Sequence, residues 1–171
     1  MKHISMDLDY IKYFQMADDE IIEDLMKLKE LNVETLILPY ELFLNRDFED
    51  YKSRLLKCIS SVGFKVSFRA QNIRNYSAAF ISEKQFNESL VVHKQFIYTL
   101  MEELRTYGLG EEGVKIIYNG TPVQNEEIEF YSDKCAYFFA MLSASVEQLK
   151  VDILLELTQI DYRMGRLVGN A

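Results

Sequence analysis

Two hydrophobic periods take turns along this chain, and their alternation predicts its elements. Ile4, Met6 and Leu8 are each flanked by polar residues, a strand pattern over 3–10 that ends at Asp7 and Asp9. The acidic stretch Asp18, Asp19, Glu20 suits the positive end of a helix dipole. Ile21, Ile22, Leu25, Met26, Leu28 and Leu31 follow at helical spacing, with Asn32 placed to close the helix. Leu36, Ile37 and Leu38 form an unbroken run in a second strand over 33–40, the pattern of a strand covered on both faces. Pro39 ends it. A second helix is expected with Asp47 as its cap, then Tyr51, Leu55, Leu56, Ile59 and Val62 on one side, and Gly63 at the left-handed position after the last turn. A third strand, 64–69, begins at once, and the polar segment 71–81 reads as a long loop leaving its end.

Ser82-Glu83-Lys84-Gln85 fits a capping box. Phe86, Leu90, His93, Ile97, Leu100, Met101 and Leu104 then continue a helical stripe as far as Gly108, and on that stripe His93 reads as a packing residue. A fourth strand is expected over 114–118, turned by Asn119-Gly120-Thr121-Pro122, and a further helix from about Ser132 through Cys135, Phe138, Phe139, Leu142, Val146 and Leu149. Val151 to Leu157 is a fifth strand, apolar except for Asp152 and Glu156. No clear pattern follows Thr158.

Strands that alternate with helices through short connections make a mostly parallel sheet with right-handed crossovers. The expected fold is therefore a single α/β domain over 1–171 with about five β/α units. Two architectures fit this: an incomplete TIM-barrel-like fold and an open doubly wound sheet. A complete eight-unit barrel needs roughly 250 residues, more than the 171 of this sequence.

Composition narrows the partners. With 49% apolar residues the chain can build a core. Its apolar runs fall short of the ~18 residues that cross a bilayer, and its start lacks the apolar stretch of a signal peptide, so a cytoplasmic, membrane-free protein is expected. Cys58 and Cys135 read as buried thiols on helix faces. A net charge of −8 repels polyanions and argues against nucleic acid as a partner. Arg69, Arg74, Arg163 and Arg166 are the cations near predicted strand ends or the terminus, either solvated surface or part of a local pocket.

In both architectures ligands bind at the carboxyl ends of the strands. That rule selects Asp7 and Asp9, Tyr40 and Glu41, Arg69, Gln71 and Asn72, Tyr118 and Asn119, and Glu156 with Gln159. Glu156 stands out, because a carboxylate closing an apolar strand must be solvated, paired or coordinated. Asp7, Glu41 and Glu156 together offer oxygen ligands suited to Mg²⁺ or Mn²⁺, set against the plainer reading of exposed strand-end acids. A zinc site is disfavoured because His3 and His93 sit at a strand start and on a helix. The chain contains no GxGxxG, P-loop, GxSxG, HExxH or CxxC motif.

Four segments carry a resemblance. SFRAQNIRNYSAAF is similar to a strand that ends in histidine, Ala-Pro-Tyr and an Asn-containing loop; SEKQFNESLVVHKQFIYTL lies where a long helix follows; IIYNGT resembles a strand end reading histidine, proline, glycine, serine; and LLELTQ resembles Leu-Leu-Glu-x-Thr. In order and spacing, from about Asp18 to Gln159, the chain resembles the endonuclease IV group of the xylose-isomerase-like barrels. The resemblance implies strand-end histidines and a glutamate holding Zn²⁺ or Mn²⁺ for phosphodiester hydrolysis or sugar isomerisation. Glu156 keeps the metal-ligand type, whereas Arg69 and Tyr118 stand where the two histidines belong. An arginine stays protonated and brings positive charge to the place of a cation.

The implied site has Glu156, Arg69 and Tyr118 at its centre, with Asp7, Glu41, Gln71, Asn72, Asn119 and Gln159 as ligand-binding positions and Glu156 as the metal ligand. Two functions follow. One is a metal-dependent phosphodiester hydrolase or sugar isomerase. The other is a non-catalytic module that binds a small or phosphorylated molecule, or assembles as a homodimer or with a second chain. The ending RMGRLVGNA, which follows a strand, leads to the further expectation that this is the amino-terminal part of a longer protein.

Overall fold

The computed structural model describes residues 2–72, 82–120, 128–157, 160–161 and 166–167. Strands β1 (Ile4–Asp7), β2 (Val33–Pro39), β3 (Lys65–Asn72), β4 (Val114–Gly120) and β5 (Val151–Leu157) alternate with helices α1 (Asp18–Glu30), α2 (Glu41–Leu44), α3 (Glu49–Val62), α4 (Glu83–Thr106) and α5 (Ile128–Ser145). The five strands form one all-parallel sheet in the order β1-β2-β3-β4-β5. Two short strands, β6 (Ile160–Asp161) and β7 (Arg166–Leu167), pair antiparallel in a separate sheet. The order of the five strands never reverses, so the sheet has no switch point of the kind that defines a doubly wound fold. The all-parallel sheet with its alternating helices is consistent with an incomplete barrel-like fold.

Residue parity separates the two faces. Leu36, Leu38, Val66, Phe68, Ala70, Val114, Ile116 and Tyr118 alternate onto one face and are buried. The helices cover that face: Ile21 and Leu25 of α1, Leu55, Leu56 and Ile59 of α3, Ile97, Leu100, Met101 and Leu104 of α4, and Phe138 and Leu142 of α5 join those strand residues in one core. Each Val, Leu, Ile, Phe or Met among them contributes roughly 1.5–3 kcal/mol when fully buried. The other face carries Ser5, Asp7, Thr35, Lys65, Ser67, Arg69, Lys115, Asp152 and Glu156 among fewer apolar residues. In the β2 run, Leu36 and Leu38 face the helices while Ile37, also buried, lies on this second face.

The ends of the elements follow local chemistry, with some corrections to the sequence reading. Glu20 accepts a hydrogen bond from the Ala17 backbone N–H at the start of α1, and Asn32 turns the chain into β2 with φ of 66°. Asp47 is not the cap of α3. It sits within a 3-10 turn, Arg46–Phe48, whose own cap is Asn45, the side chain of which accepts from Asp47 N–H. Gly63 ends α3 with φ of 92°, a backbone state that a side chain disfavours. Ser82 accepts from Gln85 N–H and starts α4. β3 runs on to Asn72 and β4 to Gly120, beyond their expected ends, because parallel pairing continues at Asn72↔Asn119 and Asn119↔Glu156. Helix α5 begins at Ile128, four residues earlier than expected. Most of the expected loop after β3 lies outside the described residues, as does the Cys135 side chain; Cys58 is buried and free.

Candidate functional site

Arg69 rises from β3, the central strand, on the face that the helices leave uncovered. Its Nε donates to Asp7 Oδ1 at 3.0 Å and its Nη2 to Asp7 Oδ2 at 3.2 Å, a two-pronged contact to β1. Its Nη1 donates to Glu156 Oε2 at 3.1 Å, on β5. One guanidinium therefore joins the central strand to both edge strands. On a flat sheet β1 and β5 are roughly 19 Å apart, four strand spacings. Two carboxylates that share one guanidinium lie within roughly 8 Å of each other, the sum of two hydrogen bonds and the width of the fork. Two short acidic side chains leaning inwards do not close that gap, so the sheet must curl around this face. The Asp7, Arg69, Glu156 bridge thus marks the mouth of a trough on this curled face, whose floor includes buried Ile37 and Ser67.

The bridge is wet at its ends and sheltered at its centre. The Arg69 side chain is 28% exposed, against 63% for Asp7 and 51% for Glu156. The hydrogen bonds that Arg69 donates to Asp7, and then the one to Glu156, raise the arginine pKa above its ordinary value against the opposing effect of burial. Two carboxylates and one guanidinium leave a net charge of −1. Three of the five arginine N–H donors are used, and the carboxylates retain further lone pairs.

The other expected site residues fall elsewhere. Tyr118 does not join Arg69 and Glu156. It is fully buried on the helix side of β4, where its hydroxyl lies 2.9 Å from His93 Nδ1 on α4. The position of the shared proton follows the tautomer of the imidazole. Burial pushes the His93 pKa down to about 4, which keeps the ring neutral, and raises that of Tyr118. These two rings, with Phe138 and Phe139, form an aromatic cluster of edge-to-face and tilted contacts. No local signal marks this pair, since its members are separated by 25 positions and belong to different elements.

Glu41 opens the short helix α2 and takes no part in the bridge. Gln71, Asn72 and Asn119 are placed by their backbones at the carboxyl ends of β3 and β4, and Gln159 lies outside the described residues. Asp7, Glu41 and Glu156 do not assemble as a metal site: among the described residues no group of three or more His, Cys, Asp or Glu side chains is spaced to hold an ion. The donor chemistry agrees, because the cation between Asp7 and Glu156 is a guanidinium that cannot give up its charge.

At the opposite end of the strands lies a cleft of about 360 Å³, lined by Lys29, Glu34, Gly63, Lys65 and the turn 108–113. Lys65 is already paired there with Glu34 at 2.9 Å and Glu112 at 3.6 Å, and Glu34 also meets His3 at 3.0 Å. These ion pairs stitch the amino ends of the strands together, the end of such sheets that serves stability rather than chemistry. No described helix is long and apolar enough to cross a membrane. Against known proteins, no family model and no curated protein matches this chain.

Proposed function

We propose that this chain is a diverged relative of the endonuclease IV and xylose-isomerase-like barrels that binds a small polar molecule in its trough without a metal cluster. The observation that carries this reading is the Asp7, Arg69, Glu156 bridge across the trough mouth. In the resemblance, Arg69 occupies a metal-ligand position. Here it takes over the role of the metal in charge compensation, holding two carboxylates together from their midpoint. What remains available to a ligand is a surplus of acceptors and two arginine N–H groups, at net charge −1. That balance favours a ligand rich in hydroxyl or amide groups over a phosphate. Metal-activated hydrolysis finds no support in these donors.

The test is an amide-resonance titration of the full chain with neutral monosaccharides, sugar phosphates and dicarboxylates. Neutral polyols should shift the resonances of Asp7, Arg69 and Glu156, and Arg69→Met should weaken that binding at least tenfold. Silence of those resonances to the whole panel rejects the pocket. Stoichiometric Mn²⁺ or Zn²⁺ binding that Glu156→Gln abolishes reinstates the metal enzyme.

A further inference from the structure

The two edges of the sheet are not equivalent. β1 is four residues long and its ladder to β2 shifts register between Ile4 and Ser5, a short, irregular edge of the kind that discourages further pairing. β5 is seven residues long and pairs with β4 at seven consecutive positions without a shift, from Val114↔Val151 to Gly120↔Leu157. Among the described residues its outer side has no strand partner in the sheet. No proline, lysine or bulge protects it. Leu154 and Leu155 point to opposite faces of the sheet yet are 42% and 39% exposed, so apolar surface flanks the open row of backbone groups on both sides.

We propose that β5 is a docking edge at which an extended segment of a partner protein adds as a sixth strand, with side chains in the order basic, apolar, basic at alternate positions. The order comes from the trough face of β5, which presents Asp152, Leu154 and Glu156 in succession. A strand laid beside β5 sets its own alternate residues opposite these three. Glu156 can serve a partner while it holds Arg69, because that bond uses Oε2, and the side chain is half exposed. Two cations lie beside this edge on the same face, Lys115 opposite Asp152 in the ladder and Arg69 bonded to Glu156, and each leaves carboxylate lone pairs for a partner.

The same charges argue against a second copy as the occupant. Antiparallel self-pairing centred on Leu154 sets Asp152 of each chain against Glu156 of the other, and each chain carries a net charge of −8. A basic segment meets attraction where a second copy meets repulsion. Main-chain bonding supplies affinity in such strand addition, and the alternate side chains supply selectivity.

The probe is a pair of end-capped peptides, Thr-Lys-Val-Leu-Val-Lys-Thr and its counterpart with glutamate in place of both lysines, titrated against the full chain. The basic peptide should slow hydrogen exchange of β5 amides and bind about tenfold more tightly than the acidic one at low salt. That preference should shrink in 0.5 M NaCl. Asp152 is exposed, so Asp152→Lys keeps the fold and should narrow the gap at least threefold. Equal binding of the two peptides, or protection at β1 instead of β5, overturns the proposal. So does a dimer in sedimentation whose β5 amides are already protected without peptide.

Discussion

The buried His93 links the fold to pH in a way that can be calculated. The residue is 6% exposed, and burial lowers its pKa from 6.5 to about 4. The unfolded chain therefore binds a proton between these values that the folded chain refuses. Stability is complete above pH 6.5, falls as the pH drops through the window, and levels off below about 4. With those two values the loss at pH 4.5 is about 2.5 kcal/mol. For a domain of this size that corresponds to a drop in Tm of roughly 5–10 °C. The assay is urea unfolding at half-unit steps from pH 7.5 to 4.5, with His93→Gln as control. Glutamine can still meet the Tyr118 hydroxyl but does not titrate, so the variant should lose little stability across the window in which wild type loses about 2.5 kcal/mol. Asp24 and Glu34, whose carboxyl pKa values are lowered by Tyr13 and Lys65 respectively, lose their pairing at more acid pH and do so equally in both proteins. Parallel curves for the two proteins over pH 6.5 to 4.5 refute the argument.

Two further outcomes follow from the geometry. Arg69→Met should cost no more than about 1 kcal/mol in urea unfolding, because its two carboxylates are more than half exposed and can be solvated once released; a loss above about 3 kcal/mol makes the bridge a structural element rather than a site. Gly63→Ala should cost about 1 kcal/mol from the left-handed backbone alone, since the nearest atom to an added Cβ, Lys29 Nζ, is 3.7 Å away and can move. Thermal melts of the variant and wild type check this, and no loss of stability shows that the turn relaxes.

The order of elements was legible because two periods alternate cleanly. Asn32, Gly63 and Ser82 mark ends that the structure keeps. Asp47 misled because capping chemistry is local and degenerate: Asn45, two residues earlier, offers the same kind of side-chain oxygen and is the one the chain uses. β3 and β4 run past the ends that their polar last residues suggest, because polar residues at the carboxyl end of a parallel strand still find ladder partners. Nothing local encodes the pairing of His93 with Tyr118, which depends on where α4 crosses β4.

Tyr118 shows a different kind of gap, one that the sequence could have closed. Choosing residues because they end strands treats a strand end as a point, whereas a strand end has two faces. Arg69 pairs in register with Ile117, so Tyr118, one residue further along, must point to the opposite side. The alternation Val114, Ile116, Tyr118 already states this, since the first two are core residues and the third shares their parity. On the same parity rule Asp7, Arg69 and Glu156 belong to one face, and Tyr118 never could. Curvature is what parity leaves out: acids on the two edge strands meet one arginine only if the sheet closes toward that face. It is curvature that turns three scattered strand-end charges into a single trough.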